Sequence, residues 1–354
     1  MLQKADTKWM QRALDLAEKG SSTTLPNPMV GCVIVLDSKT IAEGYHEKYG
    51  EGHAEVNALA TIPELSRETL ARATAYVTLE PCSHHGKTPP CANLLIERGI
   101  GRVVYAIEDP HPIVSGSGHS LLKDAGLEVV NGVLEEEARL MNRKFLHLQT
   151  SDLPYIVLKW TQSLDGYMDP EMSAAYGRGG VAITSVDTLR HVHQLRAENS
   201  GILIGRKTAE VDNPSLNVRE VNGPNPVRIV IDPELRLDDS KLKMIGHDGE
   251  TWIMCKPGFK RHISGAEVKP WLEEDLPVML RKLRKNGIHS LFVEGGAFTH
   301  GKFLEQGLYN EIYVFQGVDE FGDGLKAPLI TQYKSGKVCE TSVGADALWH
   351  YIRG

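Results

Sequence analysis

Gly52-His53-Ala54-Glu55-Val56, followed by Pro81-Cys82 and then by Cys91, is the stretch that decides how the amino-terminal half is built. It offers one imidazole, two thiols and a carboxylate that is not needed as a ligand. Imidazole nitrogen and thiolate sulfur are the donors of tetrahedral Zn²⁺, and three of them leave the fourth position for water. The metal lowers the pKa of that water from about 15.7 to about 7, which makes hydroxide at neutral pH. Glu55 stands two residues beyond the histidine, where it can shuttle the proton from the water to a departing amine.

His-x-Glu followed about 30 residues later by Pro-Cys is the order seen in zinc base deaminases. One feature departs from that pattern. Eight residues separate Cys82 from Cys91, where two are usual. They run Ser83-His84-His85-Gly86-Lys87-Thr88-Pro89-Pro90, and their glycine and prolines suit a loop that folds both sulfurs back to one metal. Two other readings stay open on these residues alone. One is a structural zinc closed by His84 or His85, which leaves Glu55 without a task. The other is a pair of buried thiols with no metal.

Working outward, the 354 residues are too many for one compact core and suggest two domains. The chain is 41% apolar and 24% charged with a net charge of −7, the composition of a soluble globular protein. Divided at residue 150, the acidic excess is four before and three after. Neither half is therefore a basic arm for nucleic acid. No apolar run approaches the roughly 18 residues of a membrane span, and Met1-Leu2-Gln3-Lys4-Ala5-Asp6 has no apolar signal core. Five cysteines, two of them taken by a metal, point to a reducing cytoplasm rather than a disulfide framework. Cys255 and Cys339 read as buried thiols without a task.

Strand and helix patterns alternate. Thr7 to Lys19 has helical apolar spacing, and Val30 to Leu36 is a β-branched strand answered by Ile41 to Tyr45. A helix opens at His53, and a buried strand from Ala75 to Leu79 ends just before Pro81-Cys82. Cys91 opens the next helix, to Arg98. Helix starts favour anionic ligands through their exposed N–H groups. Arg102 to Ile107 is a strand, Leu121 to Ala125 a helix, Leu127 to Val129 a strand and Glu135 to Phe145 a helix. This alternation predicts an open α/β/α sandwich.

Gln149-Thr150-Ser151-Asp152 reads as a linker, dividing the chain into residues 1–148 and 149–354. Beyond it, strands are predicted at Tyr155 to Trp160, Gly201 to Gly205, Arg228 to Asp232, Ser290 to Glu294 and Glu311 to Phe315. Helices are predicted from Ser185 to Ala197, Leu276 to Asn286 and Thr299 to Gln306, the first with Ser185 as N-cap.

The motif lies in a longer run: Pro26-Asn27-Pro28-Met29-Val30-Gly31, Gly52 to Val56, and Thr78-Leu79-Glu80-Pro81-Cys82 through Cys91. It continues with Asp109-Pro110-His111-Pro112, Lys159, Ser163-Leu164-Asp165-Gly166, Leu195-Arg196-Ala197, Asp212-Asn213-Pro214 and Val293-Glu294-Gly295-Gly296. In this order the residues resemble the bifunctional deaminase/reductase family of riboflavin biosynthesis. The resemblance covers nearly the whole chain, weakens after about Gly317, and includes the eight-residue spacing of Cys82 and Cys91.

The resemblance implies a cytidine-deaminase-like α/β/α sandwich followed by a dihydrofolate-reductase-like α/β domain. The first would remove the ring 2-amino group of 2,5-diamino-6-(5-phosphoribosylamino)pyrimidin-4-one with Zn²⁺ held by His53, Cys82 and Cys91. The second would then reduce the ribosyl group to ribityl with NADPH. It further implies a homo-oligomer, dimer or tetramer, built through the reductase domain. Asn27 would meet the pyrimidine, although a turn-forming Asn reads equally from Pro-Asn-Pro. His84, Lys87 and Thr88 would lie near the substrate phosphate, although on their own they read as solvated loop residues.

Gly295-Gly296 between a strand and a helix makes a backbone-lined phosphate site or, on the residues alone, a tight turn. It is not the dinucleotide fingerprint, because a further glycine at the required spacing is missing. The resemblance places Glu294, Gly180, Arg196, Leu216 and Arg219 on the substrate, the two arginines suiting a clamp on the ribose phosphate. A surface ion pair is the ordinary reading of either arginine. It places Thr161, Ala182, Thr184, Thr208, Asp212 and the run Gly296, Ala297, Phe298, Thr299, His300, Gly301, Lys302 on the cofactor, with Lys159 and Asp165 organising the same cleft. Ala182 stands where the family commonly has Trp, and Ala297 where it has Pro, which bears on the reductase contacts alone. Three alternatives follow from other readings of the same residues. They are a deaminase with a non-reducing carboxy-terminal domain, a nucleic-acid base deaminase, and a zinc-stabilised binding protein.

Overall fold

A computed structural model describes residues 4–62, 65–83, 89–110, 116–170, 182–246, 248–273, 275–330 and 336–353. The chain forms two compact units, Met1–Thr150 and Ser151–Gly354.

The first unit runs α1 (Lys4–Ala17), β1 (Gly31–Leu36), β2 (Lys39–Tyr45), α2 (Ala54–Ala60), α3 (Arg67–Leu70), β3 (Thr74–Leu79), α4 (Cys91–Arg98), β4 (Arg102–Ile107), α5 (Ser117–Asp124), β5 (Glu128–Asn131), α6 (Glu135–Met141) and α7 (Arg143–Thr150). Its sheet has the order β2-β1-β3-β4-β5. β1 is antiparallel to both neighbours, and β3, β4 and β5 are parallel. Successive strand residues face opposite sides, so Cys32 and Ile34 pack on α2, α4 and α5 while Val33 and Val35 pack on α1 and α6. The result is an α/β/α sandwich. Gly44 lets α2 approach the sheet, because a Cβ there would lie 2.4 Å from the Ala58 nitrogen.

The helix predicted from Glu135 to Phe145 is two helices in the structure. The break falls at Asn142, whose side chain accepts from Met29 N at 2.8 Å and donates to Met29 O at 2.9 Å.

The second unit runs β6 (Tyr155–Gln162), β7 (Tyr167–Pro170), α8 (Val186–Ala197), β8 (Gly201–Gly205), α9 (Arg206–Val211), β9 (Val227–Ile231), β10 (Thr251–Met254), β11 (Glu267–Lys269), α10 (Leu276–Lys285), β12 (Ser290–Val293), α11 (Ala297–Glu305), β13 (Glu311–Gln316), β14 (Gly324–Lys326), β15 (Gly336–Val343) and β16 (Asp346–Arg353). Its large sheet has the order β11-β10-β9-β8-β12-β6-β13-β16-β15. The strands from β11 to β13 are parallel, and β16 is antiparallel to β13 and β15. Ile156, Leu158 and Trp160 pack with α10 and α11 on one face, and Tyr155 and Val157 with α8 on the other. β7 and β14 form a separate two-stranded ribbon.

Strands β7, β10, β11 and β14 to β16 lie outside the sequence prediction. β10 is four residues long, and β15 is almost wholly exposed, so neither carries a burial period. The expectation that Cys339 is buried is overturned, since it lies exposed on β15, while Cys255 is buried. All five cysteines are free.

Candidate active sites in the two units

In the first unit, His53 is the N-cap of α2, Cys91 the first residue of α4, and Cys82 lies just beyond β3. Their ligand atoms all lie within 4.8 Å of one another. His53 Nδ1 is 3.3 Å from Cys91 Sγ and 3.6 Å from Cys82 Sγ. One nitrogen and two sulfurs converging from three separate segments is a donor set that fits Zn²⁺. Cys91 N donates to Cys82 Sγ at 3.3 Å. Hydrogen bonding from Cys91, outweighing burial, holds the Cys82 thiol down at about 4. The Cys91 thiol is pushed up, by Cys82 and then by burial. Among the described residues no other His, Cys, Asp or Glu joins this group.

Glu55 lies in the first turn of α2, 3% exposed. Burial, and then the neighbouring Cys82, raises its carboxyl to about 7. The residue before His53 is fixed from two sides, because Gly52 O accepts from His46 Nδ1 at 3.0 Å and from Asn57 Nδ2 at 3.3 Å.

His46 is a part of this site that the sequence reading missed. A single histidine after a strand carries no pattern, and only the fold brings its ring edge-on to His53, with centroids 5.8 Å apart. With Nδ1 donating to a carbonyl, Nε2 of the neutral ring must accept. Asn27 Nδ2 supplies that bond at 3.3 Å, and this leaves Asn27 Oδ1 as the acceptor for a ligand. Burial holds the His46 ring below the ordinary histidine value, which favours the neutral form. His84, Lys87 and Thr88 lie outside the described residues.

In the second unit a cleft of about 1390 Å³ lies at the carboxyl ends of β8, β9, β10 and β12. Glu294, Gly296, Ala297, Phe298, Thr299, Lys302, Thr208 and Asp212 line it. Thr208 Oγ1 accepts from Gly296 N at 3.0 Å, which ties the glycine turn to α9. Met168 to Pro170 of β7 and Asp323 to Leu325 at β14 line another part of it. Asp165 joins those two segments, accepting from Ser163 Oγ, Phe321 N and Gly322 N. Arg206, Lys207 and Lys256 also line the cleft. They were not selected from the sequence, because isolated basic residues look like ordinary surface.

Arg196 grips Glu294 with both prongs at 2.8 Å, and their side chains are 10% and 9% exposed. Burial pushes the Glu294 carboxyl up, but the charges of Arg196 and Lys159 outweigh it and hold it at about 2. Burial lowers Lys159 below the ordinary lysine value. His193 faces the same cluster, accepts from Arg219 N at 3.2 Å, and is held at about 4 by burial and then Arg196.

The remaining candidates scatter. The Arg219 side chain is half exposed beside Asn217 and Glu220. Leu216, at φ 52°, turns its side chain into the core, so only its main chain is left to meet a ligand. His300 is fully buried on the inner face of α11, with Nε2 bonded to Val293 O and its ring against Trp160. Neither it nor Gly301, Thr161, Ala182 or Thr184 is among the residues lining the cleft. Gly180 lies outside the described residues.

Residues 3–107 match the family model of the cytidine and deoxycytidylate deaminase zinc-binding region, and residues 154–342 match that of the RibD C-terminal domain. The chain is 38% identical over 332 residues to the riboflavin biosynthesis protein RibD of Bacillus amyloliquefaciens, covering 91% of this chain and 87% of that one. The corresponding figures for RibD of Aquifex aeolicus are 41% over 330 residues, 92% and 90%. Among solved structures, Acinetobacter baumannii RibD superposes with a TM-score of 0.85 at 32% identity, over 99% of each chain. The diaminohydroxyphosphoribosylaminopyrimidine deaminase/5-amino-6-(5-phosphoribosylamino)uracil reductase of Thermotoga maritima gives 0.86 at 32% identity, again over 99% of each.

Proposed function

From the premise that the chain belongs to the RibD family of riboflavin biosynthesis proteins, we propose how its two sites divide the work of a bifunctional deaminase and reductase. The observation that carries the reading is the convergence of His53, Cys82 and Cys91 beside a buried Glu55, in a chain whose second unit holds a glycine-edged cleft.

His53, Cys82 and Cys91 would hold zinc, which would supply Lewis acidity toward a water at neutral pH. Glu55 takes the proton of the attacking water on its carboxylate and returns it to the departing ring amine, so that ammonia leaves as a neutral group. Asn27, with its amide oriented by His46, accepts from the pyrimidine through Oδ1. The substrate is the 2,5-diamino-6-(5-phosphoribosylamino)pyrimidin-4-one on which this family acts, and His84, Lys87 and Thr88 serve its phosphate.

The reductase takes a nicotinamide cofactor, which we assign as NADPH. The main-chain N–H groups at Ala297 and Phe298, in the first turn of α11, suit its pyrophosphate, and Lys207 and Lys256 on the cleft wall offer cations to its phosphates. Thr161, Ala182, Thr184, Gly301 and His300 remain candidates for the cofactor on the resemblance alone, as do Gly180 and Leu216 for the substrate and Arg219 for its ribose phosphate. Glu294 contacts the substrate as a carboxylate, because Arg196 and Lys159 keep it ionised. Hydride transfer belongs to the cofactor, and the protein contributes position and field. No helix of the described residues is long and apolar enough to cross a membrane. The free cysteines support a reducing cytoplasm, and the family resemblance supports a homo-oligomer.

The test follows ammonia release and NADPH absorbance together on zinc-analysed protein. Wild type is expected to give both signals. Glu55→Gln should retain one zinc and lose ammonia release by at least about 10²-fold. Its NADPH oxidation should return when the deaminated intermediate is supplied. Ammonia release without NADPH oxidation in wild type would leave a deaminase with a non-reducing second unit.

A further inference from the structure

Glu80 is a buried carboxylate, 3% exposed, that lies two residues before the metal ligand Cys82 and takes no part in the chemistry described above. Its two oxygens accept from three main-chain donors. Oε2 receives Asp109 N at 3.2 Å and Gly116 N at 3.1 Å, and Oε1 receives His119 N at 2.9 Å. Gly116 is the N-cap of α5, and His119 is the third residue of that helix. These are donors that a helix leaves without partners in its first turn, so a carboxylate from another segment caps α5. Bonds from N–H to an ionised carboxylate are about twice as strong as neutral ones.

The same helix start meets the Cys82 turn at two more points. Ser83 and Ser117 hydroxyls lie 2.5 Å apart. A Cβ on Gly118 would fall 2.1 Å from Pro81 O, so main chain lies against main chain. Pro81-Cys82 is therefore held between Glu80 on one side and Ser83 on the other, both anchored to α5. Cys82 leaves a strand end with no regular element of its own to orient it, whereas His53 and Cys91 are each set by a helix.

We propose that Glu80 is a positioning residue for the metal centre, fixing Cys82 Sγ by clamping its turn to the start of α5. The proposal rests on the reading that His53, Cys82 and Cys91 hold zinc. A neutral amide at position 80 turns an N–H₂ toward donors that need an acceptor, and the turn loses its anchor.

Zinc affinity is measured by chelator competition on the full-length wild type, Glu80→Gln and Glu80→Asp, with thermal midpoints before and after zinc addition. Glu80→Gln is expected to bind zinc about 10–100-fold more weakly and to show a smaller zinc-induced rise in midpoint. Glu80→Asp, which keeps the charge, should recover part of both. Ammonia-release kcat should fall in Glu80→Gln while NADPH oxidation of supplied intermediate stays at the wild-type rate. Wild-type zinc affinity in Glu80→Gln, with only the midpoint lowered, would overturn the proposal and leave Glu80 as a helix cap alone. Should Glu80→Gln not fold, Ser117→Ala loosens the same clamp. A fall in its zinc affinity supports the proposal, and unchanged affinity overturns it. Wild-type protein that takes up no zinc, or a Cys82→Ser variant that still binds one ion, would overturn the metal reading itself.

Discussion

At the scale of single residues, two buried groups owe their character to their neighbours. Burial favours the neutral form of His46, the Gly52 carbonyl keeps the proton of that form on Nδ1, and that tautomer decides which end of the Asn27 amide is left for a ligand. Glu294 is ionised in a buried site because Arg196 and Lys159 surround it. Replacing it by Gln leaves the buried Arg196 cation short of its partner, a change that costs about 3–5 kcal/mol where a buried pair is broken. Glu294→Gln is therefore expected to lower the urea midpoint and abolish NADPH oxidation while ammonia release continues. Denaturation and both half-assays on one preparation check this. Retained NADPH oxidation would remove Glu294 from the substrate.

At the scale of elements, the deaminase site depends on how closely α2 lies on the sheet. His53 and Glu55 ride on that helix, and Gly44 in β2 is what lets it approach. A methyl group there meets main-chain atoms of Ala58 and Ala54 at 2.4 and 2.7 Å, which backbone cannot relieve by a rotamer change. Gly44→Ala should cost about 1–3 kcal/mol and displace the helix with both functional side chains. The expected outcome is a lowered thermal midpoint together with weaker zinc binding, read by scanning calorimetry and zinc titration. A midpoint drop with wild-type zinc affinity would show that the ligands do not move with the helix.

At the scale of the whole molecule, each unit has its own core and its own chemistry, and the first is drawn together by a buried ion pair. Asp6 of α1, 3% exposed, accepts from both terminal nitrogens of Arg102 on β4 and from Tyr76 OH on β3. Hydrogen bonding from Arg102, outweighing burial, depresses the Asp6 carboxyl. A carboxylate held below its unfolded value adds stability above the unfolded pKa of about 3.9 and loses it as pH falls through the folded value. Asp6→Asn should thus cost about 1–3 kcal/mol at pH 7, with the difference from wild type shrinking below about pH 4. Urea midpoints of both proteins from pH 7 to pH 3 test the sign, and a difference that grows on acidification would contradict it.

Much of this was legible in the chain alone. His53, Glu55, Cys82 and Cys91 could be read as a set because their chemistry is rare and their order is informative. The buried strands β1, β3, β4, β6 and β12 could be read because each is a run of apolar residues between turns. The resemblance added the dihydrofolate-reductase-like second unit, which no spacing in that half would have named. Other features became visible only when the chain was folded. Asn142 breaks a helix through Met29, 113 positions away, and Glu80 caps a helix that begins 37 residues later. β15 exists because β16 pairs with it, and Arg206 and Lys256 line one cleft because parallel strands bring their ends to one edge. The sequence by itself determined which donors and acids the protein owns and which segments must be buried, because side-chain chemistry and apolar period are local properties. Tertiary structure decided which of those groups share a site and in what ionisation state, because hydrogen bonding and desolvation depend on neighbours remote in the chain.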